Sequence, residues 1–353
     1  SDRTTWPEAQ TVLQNLLSVR NGGVTHDLSA IGHAHIDIAW LWPLMETHRK
    51  AVRTFSSAVS YMDDYPQYKF ACSQAYLYEH VEQHHPALFE RICRKVEAGQ
   101  WVPVGGTYVE MDCNLPSGES LCRQFLYGQQ YFESRFGQRC RELWNPDVFG
   151  YNGQLPQIMK LAGVEHFLTQ KLSWNRFTSP PHHTFKWEGI DGSRVFSHFP
   201  PGDTYNGRLT GGEIAHGERQ FRPKDRASVS LLPFGQGDGG GGPTIEMIER
   251  ARRWKDFEGM PRLEMGTVRG FFEEAEAEIE DVPVWHGELY LELHRGTYTS
   301  QAWNKWMNRH CEHLLRDAEF FQAVASVLAP GELLEADPCP ERAVWDVAGH
   351  GPE

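Results

Sequence analysis

Between residue 28 and about residue 293, short apolar runs alternate with amphipathic segments, and no other property of the chain restricts its fold so strongly. Apolar positions recur at three- and four-residue spacing over 46–62, 76–97, 119–136 and 244–254, the period of a helix with one buried face. Strand-like runs separate them at 68–72, 143–144, 166–170, 195–199 and 230–234. Alternation of this kind predicts a parallel α/β sheet or barrel. The runs 183–188 and 194–199, split by Gly189-Ile190-Asp191-Gly192, predict a β-hairpin inserted into that scheme. After Trp285 the character changes to one long helical pattern over 299–328 and then a tail rich in Pro and Glu. The reading is therefore a lead-in segment (1–26), an α/β barrel-like domain (27–293) and the start of a helical-bundle domain (294–353). With 353 residues, 40% of them apolar and 23% charged, the chain can bury a sizeable core.

The sharpest chemistry follows the first apolar run. Residues 28–32 read as a buried strand, and His33-Ala34-His35-Ile36-Asp37-Ile38-Ala39-Trp40-Leu41-Trp42-Pro43 comes directly after it. Strand side chains alternate, so His35 and Asp37 point the same way. An imidazole nitrogen beside a carboxylate oxygen suits a divalent metal. Trp40 and Trp42 add flat faces of the kind that stack on sugar rings. Taken alone, such a His-x-Asp pair is more often two satisfied polar residues at a strand end.

Three later motifs shift that balance. Trp144-Asn145-Pro146-Asp147-Val148-Phe149-Gly150-Tyr151 closes another strand. Functional groups gather at the carboxyl ends of parallel strands, where Asp147 would be a third metal ligand or a carboxylate nucleophile. The bland alternative is a cap or turn aspartate. Phe234-Gly235-Gln236-Gly237-Asp238-Gly239-Gly240-Gly241-Gly242-Pro243 lacks the Gly-Lys-Ser/Thr ending of a Walker loop and the spaced glycines of a dinucleotide fold. It is either a flexible loop with a solvated aspartate or a mobile backbone presenting Asp238 to protonate a leaving group. Lys171, beside Trp174 at a strand end, would neutralise a carboxylate or bind a hydroxyl, although most lysines only solvate a surface. Glu110 and Asp112 follow the double-glycine turn Gly105-Gly106 and would bind hydroxyls or hydrogen-bond the ligands of a metal. Two carboxylates on different strand-end loops, a His/Asp pair and tryptophan faces are the equipment of a metal-assisted glycosidase.

Charge and cysteine usage narrow the setting. A formal net charge of −13 argues against nucleic-acid and anionic-membrane partners. No stretch is long and apolar enough to span a membrane, and no signal-peptide pattern opens the chain. Seven cysteines without a C-x-x-C pair fit a reducing cytosol, hence a cytoplasmic location. A homo-oligomer is compatible with all of this. The first residue is Ser1, and the chain reads as a piece of a longer protein.

Together the motifs resemble the α-mannosidases of glycoside hydrolase family 38, in particular the cytosolic and bacterial branch. The resemblance runs through residues 33–50, 73–79, 105–120, 144–151, 167–174, 199–206 and 234–243 in that order. It ends in Gly287-Glu288-Leu289-Tyr290-Leu291-Glu292-Leu293-His294-Arg295-Gly296-Thr297-Tyr298-Thr299. What it implies is a seven-stranded parallel α/β barrel-like catalytic domain followed by a helical domain. It also implies one Zn2+ (Co2+ in some cytosolic members) and hydrolysis of terminal α-mannosidic bonds of oligosaccharides with retention. By motif, His35 and Asp37 would be metal ligands, and Asp147 both ligand and nucleophile. Asp238 would be the acid/base, while Trp40, Lys171 and Asp112 would contact substrate. Asp238 would have to start protonated, which calls for partial burial or a neighbouring negative charge.

The pattern departs at one point. The family's fourth metal ligand is a histidine in a His-Asp motif of the helical domain, and the tail ending in Val344-Trp345-Asp346-Val347-Ala348-Gly349-His350-Gly351-Pro352-Glu353 does not resemble it. His350 is a weak substitute, and His294 and His310 read as structural or supporting residues. The expectation is a catalytic domain cut before its last ligand. Two alternatives stand beside it: an inactive sugar- or metal-binding remnant, and a metal-dependent polysaccharide deacetylase.

Overall fold

The computed structural model describes residues 3–328; the tail with His350 and part of the expected helical domain lie outside them. Ten strands occur among the described residues. They are β1 (Asp27–His33), β2 (Phe70–Cys72), β3 (Trp101–Pro103), β4 (Glu142–Trp144), β5 (His166–Leu168), β6 (Thr184–Glu188), β7 (Arg194–His198), β8 (Val229–Phe234), β9 (Arg262–Met265) and β10 (Val284–His286). Between and around them run α1 (Trp6–Leu17), α2 (Leu44–Asp64), α3 (Ala75–His84), α4 (Pro86–Glu97), α5 (Gly118–Phe136) and α6 (Leu155–Leu161). The later helices are α7 (Gly211–Gln220), α8 (Ile245–Trp254), α9 (Val268–Glu278), α10 (Arg295–Thr299) and α11 (Ala302–Leu328).

The mixed α/β fold with parallel pairing is as the alternation implies. The central strand β1 pairs in parallel with β8 along one side, from Asp27↔Val229 to Gly32↔Phe234. On its other side β9 meets its first half and β2 its last two residues. The only antiparallel ladder among the described residues is the expected hairpin, β6 with β7. The ladders form two five-stranded sheets, β3-β2-β1-β8 with β9, and β10-β6-β7-β5-β4, where a single seven-stranded ring was expected. The sheets adjoin through isolated bonds. Gly105 N–H donates to Glu142 O at 3.1 Å beyond β3, and Leu231 N–H donates to His198 Nε2 at 3.2 Å between β8 and β7. Strands of three residues ending at Pro103, which has no N–H, leave little ladder to extend.

Sequence periodicity fails where a local residue overrides it. The pattern over 76–97 is two helices, because Pro86 cannot continue α3 and opens α4 instead. The lead-in segment contains α1, which buries no residue. Strands β3, β9 and β10 and helices α7 and α9 lay in stretches with no element expected. Each is short or only partly apolar, and the first two strands are set by their pairing to β2 and β1.

The core is aromatic. Trp101 packs edge-on against Phe55 at 5.0 Å and Phe70 at 4.8 Å between centroids, and its indole N–H donates to Tyr78 Oη at 2.9 Å. Tyr78 O–H in turn donates to Cys72 O, so the polar tips of these buried rings are satisfied. Helix α11 is docked on the first turn of α5 by polar contacts. Glu312, 4% exposed, accepts from Ser117 N–H at 2.8 Å and Ser120 O–H at 2.6 Å, a carboxylate at a helix N-terminus.

Candidate active site

The strands deliver their functional residues to one rim. His35 and Asp37 follow β1, Ser73 and Gln74 follow β2, Glu110 follows β3, Asp147 follows β4, Lys171 follows β5 and Asp238 follows β8. All lie beyond carboxyl ends of parallel strands, where backbone ends diverge and leave a crevice. Glu110 N–H donates to Gln74 Oε1 at 3.1 Å, and Gln74 Nε2–H donates to Ile36 O at 2.8 Å. These two bonds tie the loops after β1, β2 and β3 together.

His35 is the hub. Its Nε2 lies 3.1 Å from Asp37 Oδ1 and 3.5 Å from Asp147 Oδ2. On the other edge Nδ1–H donates to Glu110 Oε2 at 2.6 Å, and Glu110 Oε1 accepts from Ser73 O–H. Burial alone would push His35 down, but Glu110, Asp147 and Asp37 outweigh it and hold its pKa well above the ordinary value. Burial pushes Asp147 up, and His35 with Lys171 more than offsets it, so this carboxyl sits below its ordinary range. Lys171, 2% exposed, has its ammonium bonded to Asp147 Oδ1 and lying 3.7 Å from the Trp174 ring centroid and 4.9 Å from that of Phe149. It pairs with a carboxylate, one of the two functional uses open to it from sequence, and is not the solvated surface lysine of the commoner case.

The donor set suits a metal. His35, Asp37 and Asp147 each offer an atom within 4.8 Å of the others. Zinc bonds of about 2.1 Å in a tetrahedron place neighbouring donors roughly 3.4 Å apart, and the two separations at Nε2 straddle that figure. The carboxylate behind Nδ1 fixes the tautomer that leaves Nε2 as the ligand atom, the usual support of a metal-binding histidine. Three carboxylates around one imidazole also leave negative charge for a cation to balance. Among the described residues no fourth ligating side chain joins this group. His294 packs on Phe149 instead, with ring centroids 4.6 Å apart and planes tilted by 46°.

A cavity of about 330 Å³ opens from the cluster. Its lining includes His35, Asp37, Glu110, Asp112 and Asp147, together with Arg123 and Tyr127 of α5 and Tyr298 of α10. Asp112 is part of this wall, with Oδ1 accepting from Asn114 N–H at 2.6 Å and Leu115 N–H at 3.2 Å. Trp40 is 57% exposed outside the lining. Its loop is held by Thr47, whose hydroxyl donates to Asp37 O and accepts from Ala39 N–H and Trp42 Nε1–H. The Trp42 face is covered by Lys50 at 4.2 Å, so Trp40 is the open ring of the two.

Asp238 stands on a loop that is pinned where a mobile one was expected. Gln236 and Gly241 exchange backbone bonds of 3.1 and 2.9 Å, while Thr54 O–H and Lys50 of α2 donate to Gly240 O and Gly239 O. Gly235 is required at the turn: at φ +156° a Cβ would lie 2.3 Å from His33 O. The Asp238 carboxyl is exposed, so the burial wanted for a starting acid is not supplied by the described residues. Its Oδ1 accepts from Tyr205 O–H at 2.9 Å, and the Tyr205 ring packs edge-on against His35 at 5.1 Å. Tyr205 also fixes the rim below, where its carbonyl accepts from His33 Nε2–H at 2.5 Å. Tyr205 thus joins Asp238 to the His35 cluster. Although it lies in a recognised stretch, no local pattern singles it out.

The family model described as Glycosyl hydrolases family 38 N-terminal domain matches residues 25–288, and that of the Alpha mannosidase middle domain matches 292–338. The chain is 51% identical over 302 residues to Alpha-mannosidase G of Dictyostelium discoideum, covering 86% of this chain and 28% of that protein. It is 49% identical over 321 residues to Alpha-mannosidase 2C1 of Homo sapiens, covering 91% of this chain and 31% of that one. It therefore spans about a third or less of the curated relatives it matches. Among solved structures, an alpha-mannosidase from Enterococcus faecalis superposes with a TM-score of 0.63 at 20% identity, over 75% of this chain and 31% of that chain.

Proposed function

We propose that this chain, which belongs to glycosyl hydrolase family 38, carries the chemistry of a retaining α-mannosidase acting on mannose-containing oligosaccharides. The observation that supports it most is Asp147, a carboxylate held ionised between His35 and a buried Lys171, one tyrosine away from Asp238. Zinc or cobalt held by His35, Asp37 and Asp147 would supply Lewis-acid binding of sugar hydroxyls. The remaining chemistry belongs to side chains. Asp147 attacks the anomeric carbon as the glycosidic bond breaks, and Asp238 delivers its proton to the leaving oxygen. Asp238 then takes a proton from water, which attacks the glycosyl–Asp147 ester and releases the sugar with net retention. Lys171 anchors one oxygen of Asp147 and keeps it charged between turnovers. Glu110 and Ser73 hold His35, and Tyr205 aims Asp238. A sugar would stack on Trp40 and bond to Asp112.

Several broader readings go with this one. The domain division near residue 293 is supported by the two family matches, which stop at 288 and resume at 292. The seven-stranded barrel is supported by the isolated bonds that join β3 to β4 and β7 to β8. A reducing cytoplasm suits the six cysteines among the described residues, all free thiols. No helix among those residues is long and apolar enough to cross a membrane.

The test is hydrolysis of p-nitrophenyl α-mannoside by this chain with added zinc or cobalt, and again with chelator. Metal-dependent release that disappears in Asp147→Asn is expected. A folded chain that binds metal but releases no nitrophenol would overturn the activity of this segment and leave a binding remnant.

A further inference from the structure

Away from the cavity, four histidines meet where α2, α3 and α4 pack. His48 of α2 and His80 of α3 lie ring on ring, with centroids 3.8 Å apart and planes 9° from parallel. The His84 ring, one helical turn further along α3, is 4.6 Å from that of His80, and His85 at the joint with α4 is 6.3 Å from it. His48 Nε2 shares a 2.8 Å hydrogen bond with the Tyr76 hydroxyl. Among the described residues no side-chain hydrogen bond engages the ring nitrogens of His80, His84 or His85. The Tyr76 and Tyr108 rings, 5.9 Å apart, stand between this cluster and the cavity, which Tyr108 lines.

The nearby acids are occupied elsewhere. Glu79 accepts from the Tyr108 hydroxyl, and Glu82 from Tyr131 O–H at 2.9 Å and Arg135 at 2.6 Å. The cluster therefore offers imidazole nitrogens and no carboxylate, a ligand class that suits zinc, nickel and copper and not calcium or magnesium. Burial, reinforced by the charges of His48, His84 and His85, holds His80 down at about 4, so its ring is neutral at pH 7 and keeps a lone pair. Histidines four apart on one helix face are spaced to grip a single ion, and the third ring comes from the facing helix.

We propose that His80 and His84, with His48 from α2, form a second, imidazole-only site for a borderline divalent cation, separate from the His35 cluster. As placed, the nitrogens of the three rings do not all lie within 4.8 Å of one another, so coordination requires rotation of the exposed His84 and the half-buried His48 about their side-chain torsions. The bound ion clips α2 to α3. His85 borders the site and is not required for it.

Nickel binding to the full chain without an affinity tag, measured by equilibrium dialysis and calorimetry, tests this. Two equivalents are expected for the parent chain. His84→Ala, at an exposed position that leaves the fold intact, should weaken one of them at least about tenfold, the loss that even an outer supporting residue brings. His80→Ala with His84→Ala should abolish that equivalent, while His35→Ala should remove only the other. A nickel-dependent rise in melting temperature in His35→Ala that vanishes when His84→Ala is added gives a second readout. A single equivalent in the parent, or a second one that survives His80→Ala with His84→Ala, would overturn the proposal.

Discussion

Glu110→Gln is the most discriminating single change at the proposed metal site. Glu110 joins His35 Nδ1 at 2.6 Å through one carboxylate oxygen and the Ser73 hydroxyl through the other, and its side chain is 3% exposed. Glutamine keeps the shape and the backbone bond to Gln74. It removes the charge and turns one end into a donor. With the amide oxygen toward His35, the bond survives without its ionic part. With the NH2 toward His35, two donors meet, and the proton moves to Nε2, the nitrogen that faces Asp37 and Asp147. Either way the ligand atom becomes a poorer base. Outer partners of metal-binding histidines contribute about 10- to 100-fold to affinity, or about 1.4–2.7 kcal/mol. The assay is zinc competition against a chromogenic chelator at pH 7.5, with circular dichroism as the control for folding. Zinc affinity within twofold of the parent, in a folded variant, would refute the argument that Glu110 sets the tautomer.

Other changes read out different parts of the site and core. Lys171→Met leaves Asp147 without its buried cation and should cost about 3–5 kcal/mol in urea unfolding, the usual effect of breaking a buried pair from one side; a loss under about 1 kcal/mol would show that water screens the pair. Asp238→Asn should slow natural mannosides far more than p-nitrophenyl mannoside, whose leaving group needs little protonation, whereas Asp147→Asn should stop both; equal losses for Asp238→Asn would contradict the acid role. Glu142 is raised by burial to about 7 from 4.5. Its native form holds a proton that the unfolded chain releases, so its contribution is full below about pH 4.5 and lost as pH rises through about 7. At 1.36 kcal/mol per pH unit this amounts to about 3 kcal/mol. Glu142→Gln should therefore be the more stable chain at pH 8, and a variant with an unchanged pH–stability profile would refute the assignment.

The chain's own pattern carried much of the architecture. Alternation of apolar runs and amphipathic segments announced the parallel α/β fold, and Gly189-Ile190-Asp191-Gly192 announced the β6/β7 hairpin, because both signals are local. The 76–97 pattern misled because helical periodicity continues across Pro86 even though the backbone does not. The strands expected in one ring pair as two sheets, because β3/β4 and β7/β8 meet through single bonds and not through full ladders. The glycine loop suggested mobility through composition, yet α2 holds it through Thr54 and Lys50, which no property of the loop itself reveals.

By itself the sequence determined which residues reach the rim. His35, Asp37, Asp147, Lys171 and Asp238 each follow an apolar run, and strand alternation and strand ends are properties of a few consecutive residues. Only the tertiary structure decided what each one meets there. Glu110 reaches His35 across 75 residues of chain and the Tyr205 carbonyl reaches His33 across 172. The Tyr205 ring comes to lie between His35 and Asp238, and Lys171 is buried against Asp147 instead of solvated. The rings of His48 and His80 meet because two helices pack. Periodicity specifies which face of an element is buried, but the partner across that face is chosen by packing of the whole chain.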